Sequence, residues 1–203
     1  MSVCYVVGAG DCPKLDIDKR SDDYVIAADG GYGYCKDNNL IPDAVIGDFD
    51  SLGNIPEADN VIKLNPVKDV TDMYAAVEIG IEKGFREFVL YGAMGGRFDH
   101  TLANLQLTAS LSQKGFKAEI IDGERIITAI TNGKISFNSG YKGYVSVFSH
   151  SDRCEGVTIK GLKYTLDNKT MTNSFSLGVS NEFIGEESEI SVKNGTVIII
   201  YNK

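Results

Sequence analysis

Histidine is scarce in this chain, and cysteine is scattered. Only two histidines, His100 and His150, occur in 203 residues, and the four cysteines, Cys4, Cys12, Cys35 and Cys154, form no C-x-x-C pair. That excludes the usual zinc frameworks. Thiols so dispersed point to reduced, buried cysteines and a cytoplasmic protein. No run approaches the ~20 apolar residues of a membrane span. The opening stretch "MSVCYVVGAGDCPK" lacks the basic start and long apolar core of a signal peptide. A basic surplus is missing too. Net charge is −8, with residues 1–132 carrying −9 and residues 133–203 carrying +1. Nucleic acid, which wants a basic face, is excluded on that ground, whereas an acidic half suits metal ions. Neither G-x-x-x-x-G-K-[ST] nor G-x-G-x-x-G occurs, so no P-loop or dinucleotide turn is present by motif. Proline is absent after Pro66.

What is present falls into two grammars. "VCYVVGAG", "DYVIAADGG", "DAVIGDFDS", "NVIKLNP" and "EFVLYGAMGG" are short apolar runs that end in glycine, aspartate or proline, as buried parallel strands do. Helical patterns lie between or after them. "YGYCKDNNL" is closed by Asn38-Asn39. "DVTDMYAAVEIGIEKG" has Met73, Ala76, Val77 and Ile81 at helical spacing, Thr71 or Asp69 as cap, and Gly84 as stop. "DHTLANLQLTASLSQKG" predicts a helix burying Leu102, Leu105 and Ala109, and "KAEIIDGERIITAI" a pair of strands. This βαβ order predicts an α/β domain over 1–132, a mostly parallel sheet with helices on both faces. Beyond Gly133 no helical period appears. "GKISFNSG", "GYVSVFSHS", "GVTIKGLKYTL" and "EISVKNGTVIIIYNK" alternate in twos, with "KNG" as a hairpin signal. Residues 133–203 therefore read as a smaller antiparallel all-β domain, a sandwich or barrel.

The acidic motifs share one address. Asp29-Gly30 ends the second strand, Asp48 and Asp50 the third, Asp69 and Asp72 flank Thr71 at a helix start, and Arg97 and Asp99 follow the fifth strand in "GGRFDH". Ligands of an open parallel sheet bind outside the carboxyl ends of its strands. Each piece alone is ordinary: an Asp-Gly turn, a helix cap, a surface ion pair. "DAVIGDFDSLG" is less so. In an extended chain residues two apart face the same way, so Asp48 and Asp50 point together. Two carboxylates about 4 Å apart repel by roughly 4 kcal/mol at an effective dielectric near 20. A hard cation, Mg²⁺ or similar, offsets that, and Mg²⁺ held by few carboxylates takes a substrate phosphate as a further ligand. The glycines of "GAG", "DGG" and "GAMGG", Gly30, Gly95 and Gly96 among them, allow close backbone approach to phosphates. Arg97 and Lys68 are the cations placed for phosphate oxygens. His100 reads as a loop or core residue.

"ADGG", "PDAVIGDFDS", "KDVTD", "GGRFDH", "GLKY" and "SNEF" follow one another in this order, and the chain resembles the bacterial thiamine pyrophosphokinases. The resemblance runs from the second strand to Phe183. It implies pyrophosphoryl transfer from ATP to the hydroxyl of thiamine, giving thiamine diphosphate and AMP. It implies an α/β nucleotide domain, a β-sandwich that binds thiamine, and a homodimer with shared active sites. Asp48, Asp50 and Asp72 would hold Mg²⁺. Those three with Arg97 and Asp99 would carry the chemistry, with Asp72 or Asp99 as proton acceptor. Asp29, Gly30, Lys68, Asp69, Thr71, Gly95 and Gly96 would bind ATP, and Tyr164, Ser180 and Asn181 thiamine. Tyr164 stands where many relatives have tryptophan. Two other readings share the acidic crevice: a pyrophosphokinase acting on a pterin alcohol, and a non-catalytic module that binds nucleotide or thiamine.

Overall fold

A computed structural model describes residues 2–12, 14–47, 60–63 and 70–203. Asp48, Asp50, Lys68 and Asp69 lie outside the described residues. The chain divides into two compact units, one of residues 1–107 with 120–123, the other of residues 108–119 with 124–203.

The first unit is built on strands β1 (Cys4–Val7), β2 (Tyr24–Ala28), β3 (Ala44–Gly47), β4 (Val61–Lys63) and β5 (Glu87–Tyr91), in the order β5-β1-β2-β3-β4, every pair parallel. Helix α1 (Gly31–Asp37) follows β2 and α2 (Asp72–Glu82) follows β4. The two helices cover opposite faces. Cys35 of α1 joins a core with Val7, Ala27, Val45 and Tyr91. Gly80 of α2 instead lies against Phe88 and Cys4, three residues back along β5 and β1 and so on the other face, where a methyl group at Gly80 would strike both side chains. Thr71 caps α2, its Oγ1 accepting the Tyr74 N–H at 3.2 Å. The α1 helix ends at Asn38 and at Asn39, whose φ of 53° is left-handed. All four cysteines are buried and free.

Helix α3 (Phe98–Gln113) buries a different face from the one its leucines predict. Of the three residues predicted to face inward, Ala109 is buried and Leu105 half-buried, but Leu102 is 49% exposed, and Thr101, Asn104, Leu107, Thr108 and Leu111 are buried instead. The polar groups on that face have partners that the sequence does not display: the Asn104 amide donates to the Ala93 carbonyl at 2.7 Å.

Strand β6 (Lys117–Asp122) follows α3. The second unit holds ladders in the orders β12-β9-β14-β7 and β11-β10-β13-β8, formed by β7 (Arg125–Thr131), β8 (Lys134–Phe137), β9 (Tyr144–Ser149), β10 (Arg153–Lys160), β11 (Leu166–Thr172), β12 (Gly178–Glu182), β13 (Ser188–Ser191) and β14 (Thr196–Asn202). All pairs within these ladders are antiparallel. The expected hairpin at "KNG" is absent. Strand β13 pairs with β8 and β10, and β14 with β7 and β9, so the turn carries the chain from one sheet to the other. Its peptide groups are taken elsewhere: the Lys193 and Asn194 N–H groups donate to the Glu155 carbonyl, and Gly195 N–H donates to Asn132 Oδ1. Between the sheets Phe137 packs edge-on against Tyr141, Phe183 and Tyr201, with ring centroids 4.9–5.1 Å apart. Among the described residues no helix is long and apolar enough to cross a membrane.

A buried carboxylate, Asp23, pairs with the half-exposed Arg20. Asp23 accepts from the Val3 N–H at 2.8 Å, the Arg20 N–H at 3.0 Å, and the Arg20 guanidinium through Nε at 3.1 Å and Nη2 at 2.8 Å. Arg20 thereby holds the Asp23 carboxyl far below the ordinary carboxylate range. Asp23→Asn should cost about 2 kcal/mol of stability near neutral pH. A depressed folded pKa contributes fully above the unfolded value, and the contribution is lost progressively as pH falls from there through the folded value. Denaturant titrations of both proteins should therefore differ at pH 7 and begin to converge below about pH 4. Curves that stay parallel to pH 3 would remove Asp23 as the group concerned.

Candidate active site

Strand order places a crevice between β1 and β5. The chain runs from β1 outward through β2, β3 and β4, then returns to the other side of β1. At such a switch point the loops leave the carboxyl ends of adjacent strands in opposite directions. Here the loops after β1 and β5 extend the parallel pairing. Gly8 N–H donates to the Tyr91 carbonyl, Gly10 N–H to Gly92 and Asp11 N–H to Met94, each at 2.8 Å. Gly92 has φ 57°, and a methyl group there would collide with the Gly8 carbonyl. Glycine lets two loop backbones lie this close.

The crevice opens into a cavity of about 310 Å³. Its floor is Gly8–Gly10 and Gly92–Ala93. Its walls are Ala28 and Asp29 at the end of β2, Thr71–Met73 at the start of α2, and Gly95–Arg97, His100 and Asn104 around the start of α3. Asp29 adopts a left-handed φ of 49°, with its N–H donated to the Ile46 carbonyl at 2.7 Å. Asp72 lies in the first turn of α2, the positive end of that helix dipole. Of the residues predicted for this site, Asp29, Thr71, Asp72, Gly95, Gly96 and Arg97 line one cavity. Gly30 caps α1 beside it, and Asp99 stands behind Arg97.

Asp99 grips Arg97 in a two-pronged pair, Nε to Oδ1 at 3.2 Å and Nη2 to Oδ2 at 2.6 Å, and Oδ1 also accepts the His100 N–H at 3.0 Å. Both side chains are exposed. Through that hydrogen bond Arg97 lowers the Asp99 carboxyl below its ordinary value and is itself raised. His100 is neither a core nor a loop residue: it stands exposed in the first turns of α3 and lines the cavity. Its position after "GGRFD" was the only available signal. Asn104 was missed because an amide in a helix gives no hint that it fixes the Ala93 carbonyl at the cavity floor.

Arg97→Lys should lower kcat/KM for ATP about ten- to a hundredfold, because an ammonium cannot reproduce a planar fork on two oxygens. Steady-state kinetics against ATP decide it. Unchanged kcat and KM would leave Arg97 an ordinary surface ion-pair partner.

The second unit brings "GLKY" and "SNEF" together. Leu162 bridges Phe183, and Lys163 N–H donates to the Glu182 carbonyl at 3.0 Å. Lys163 Nζ meets both carboxylate oxygens of Glu182 at 2.9 Å. Ser180 sits at a bulge of β12, where three residue steps from Gly178 to Asn181 face two on β9. Its φ is 58° and its N–H donates to Ser146 Oγ at 3.0 Å. Tyr164 is 60% exposed, whereas Asn181 is buried.

The comparisons bear on both units. Residues 19–120 match the family model of the thiamin pyrophosphokinase catalytic domain, and residues 132–197 that of the thiamin pyrophosphokinase vitamin B1 binding domain. The thiamine pyrophosphokinase of Bacillus subtilis strain 168 is 31% identical over 183 residues, covering 86% of this chain and 85% of that protein. A crystal structure of thiamine pyrophosphokinase from Bacillus subtilis superposes with a TM-score of 0.87 at 27% identity, over 100% of this chain and 99% of that one. One of a thiamin pyrophosphokinase family protein from Enterococcus faecalis gives 0.83 at 25% identity, over 100% and 99%. The chain belongs to the thiamine pyrophosphokinase family.

Proposed function

We propose that this protein transfers the pyrophosphoryl group of ATP to the hydroxyl of thiamine, releasing thiamine diphosphate and AMP. The observation that carries the reading is the cavity in which glycine backbones, carboxylates and one guanidinium converge at the carboxyl ends of parallel strands. The triphosphate lies along the glycines of the β1 and β5 loops, with Gly95 and Gly96 at one wall and the Arg97 fork on its oxygens. Thr71 and Gly30 would complete the ATP contacts, with Lys68 and Asp69 from outside the described residues.

The donor set suits magnesium. Asp29 and Asp72 offer hard oxygens in the cavity, and among the described residues no cluster of three or more His, Cys, Asp or Glu could hold an ion unaided. Sharing an ion between one or two carboxylates and a substrate phosphate is magnesium's habit. Asp48, Asp50 and Asp72 would hold it, and when bound it neutralises charge on the phosphate oxygens. The residues' own task is alignment: the thiamine oxygen must approach the β-phosphorus opposite the departing AMP. A carboxylate accepts the hydroxyl proton. Asp72 or Asp99 is the carboxylate for that step: Arg97 lowers the basicity of Asp99, and Asp72 is shared with the ion.

Thiamine rests on Tyr164 and Ser180 of the second unit. A cationic thiazolium is attracted to an aromatic face. A second copy of the chain completes each site. Tyr144, Phe175, Leu177 and Val179 on or before β9 and β12 are exposed apolar side chains, the surface a homodimer would cover. Four free buried thiols suit a cytoplasmic setting. The test is direct: incubate protein, Mg²⁺ and ATP with thiamine or a hydroxymethyl pterin, and separate the products. AMP with thiamine diphosphate is expected. ADP with thiamine monophosphate, or turnover of the pterin alone, would overturn the assignment.

A further inference from the structure

Asn181 looks like a ligand group in sequence, but its oxygen and one of its two N–H donors are already committed. Oδ1 accepts the Tyr164 N–H at 2.9 Å and the Glu182 N–H at 2.9 Å, and Nδ2 donates to the Tyr164 carbonyl at 2.6 Å. Both peptide groups of Tyr164 are thus bonded to one side chain from a residue 17 positions away. Tyr164 lies outside any strand, so no ladder secures it. The amide takes the place of a strand partner, accepting from the N–H and donating to the C=O of the same residue. Asparagine has the donor and the acceptor this needs, and its own burial keeps water from competing for either bond. The Lys163–Glu182 pair and the Leu162–Phe183 bridge fasten the flanking residues. The result is an exposed ring on a backbone that cannot swing.

We infer that Asn181 is a positioning residue: it holds Tyr164 so that the ring meets the organic cation in a fixed pose, and does not itself bind substrate. The inference rests on the proposed thiamine reading. Ordering a loop aromatic before the ligand arrives removes that entropic cost from binding. Contact with the pyrimidine through Oδ1, or through the Nδ2 proton that reaches the Tyr164 carbonyl, would strip a Tyr164 peptide group of its partner; the second Nδ2 proton is the one donor left, on a side chain that is buried.

A double-mutant cycle tests this. Asn181→Ala should raise the thiamine KM about tenfold, the effect of about 1.4 kcal/mol of lost ordering. The KM for ATP should stay within about twofold, because the ATP cavity belongs to the other unit. Made in a Tyr164→Ala background, Asn181→Ala should raise the thiamine KM no further. Asn181→Asp keeps the shape and both accepted bonds but sets an oxygen against the Tyr164 carbonyl. It should also raise the thiamine KM only where Tyr164 is present, and it carries the test if the alanine variant does not fold. A full rise in the Tyr164→Ala background would mean direct contact and overturn the inference. So would parallel losses in thiamine KM, ATP KM and thermal midpoint, which mark a merely structural role. No thiamine turnover by the unmodified protein would overturn the functional reading and this inference together.

Discussion

Asp48→Asn and Asp50→Asn should each lower turnover about a thousandfold, a loss of about 4 kcal/mol of transition-state stabilisation. Strand β3 ends at Gly47, and Asp48 and Asp50 follow in the sequence with one residue between them. Paired like charges at a strand end are unfavourable unless a cation sits with them. Removing one charge should therefore leave the metal-free thermal midpoint equal to or above that of the unmodified protein. The combination is diagnostic, since a variant that merely misfolds loses both. Kinetics at several Mg²⁺ concentrations, with melting curves in chelator, decide it. Activity like the unmodified protein's in either variant at moderate Mg²⁺ would remove that residue from the metal site.

The parts of the fold that could be read beforehand are those governed by local chemistry. The apolar runs that end in glycine or aspartate became β1, β2, β3 and β5, and the Thr71 cap and the Asn38-Asn39 stop stand where residue type puts them. Asp29, Asp72 and Arg97 meet because a parallel sheet collects its loop residues at one edge. Misreadings came where a distant partner decides. In α3 the apolar count favoured Leu102, but Asn104 is buried through its bond to Ala93, eleven residues earlier. "KNG" has hairpin composition, yet Glu155 and Asn132 take its peptide groups and the flanking strands go to different sheets. Asn181 illustrates the same limit at the site. Its side chain advertises donors and acceptors, and only the fold shows that Tyr164 and Glu182 take the oxygen and one of the two donors.

Mixing two impaired proteins should restore activity if each site is built from two copies. Asp48→Asn disables the ATP side. Tyr164→Ala disables the thiamine side, and its loss is largest at thiamine well below KM, where rate reports kcat/KM. In the proposed twofold dimer each site would take its ATP side from one copy and its thiamine side from the other. A mixed dimer then has one site with both lesions and one with neither. Random exchange makes half the dimers mixed, so the mixture should recover roughly a quarter of the unmodified rate per site. The exposed aromatic and aliphatic side chains near β9 and β12 give the partner something to cover: Phe175 alone is 68% exposed. Replacing Phe175 and Leu177 together with serine should shift the protein toward monomer in sedimentation and remove the recovery with it. Exchange can be verified separately with differently tagged copies. Confirmed exchange with a rate no higher than the average of the two parents would mean that one chain supplies both sides of its own site.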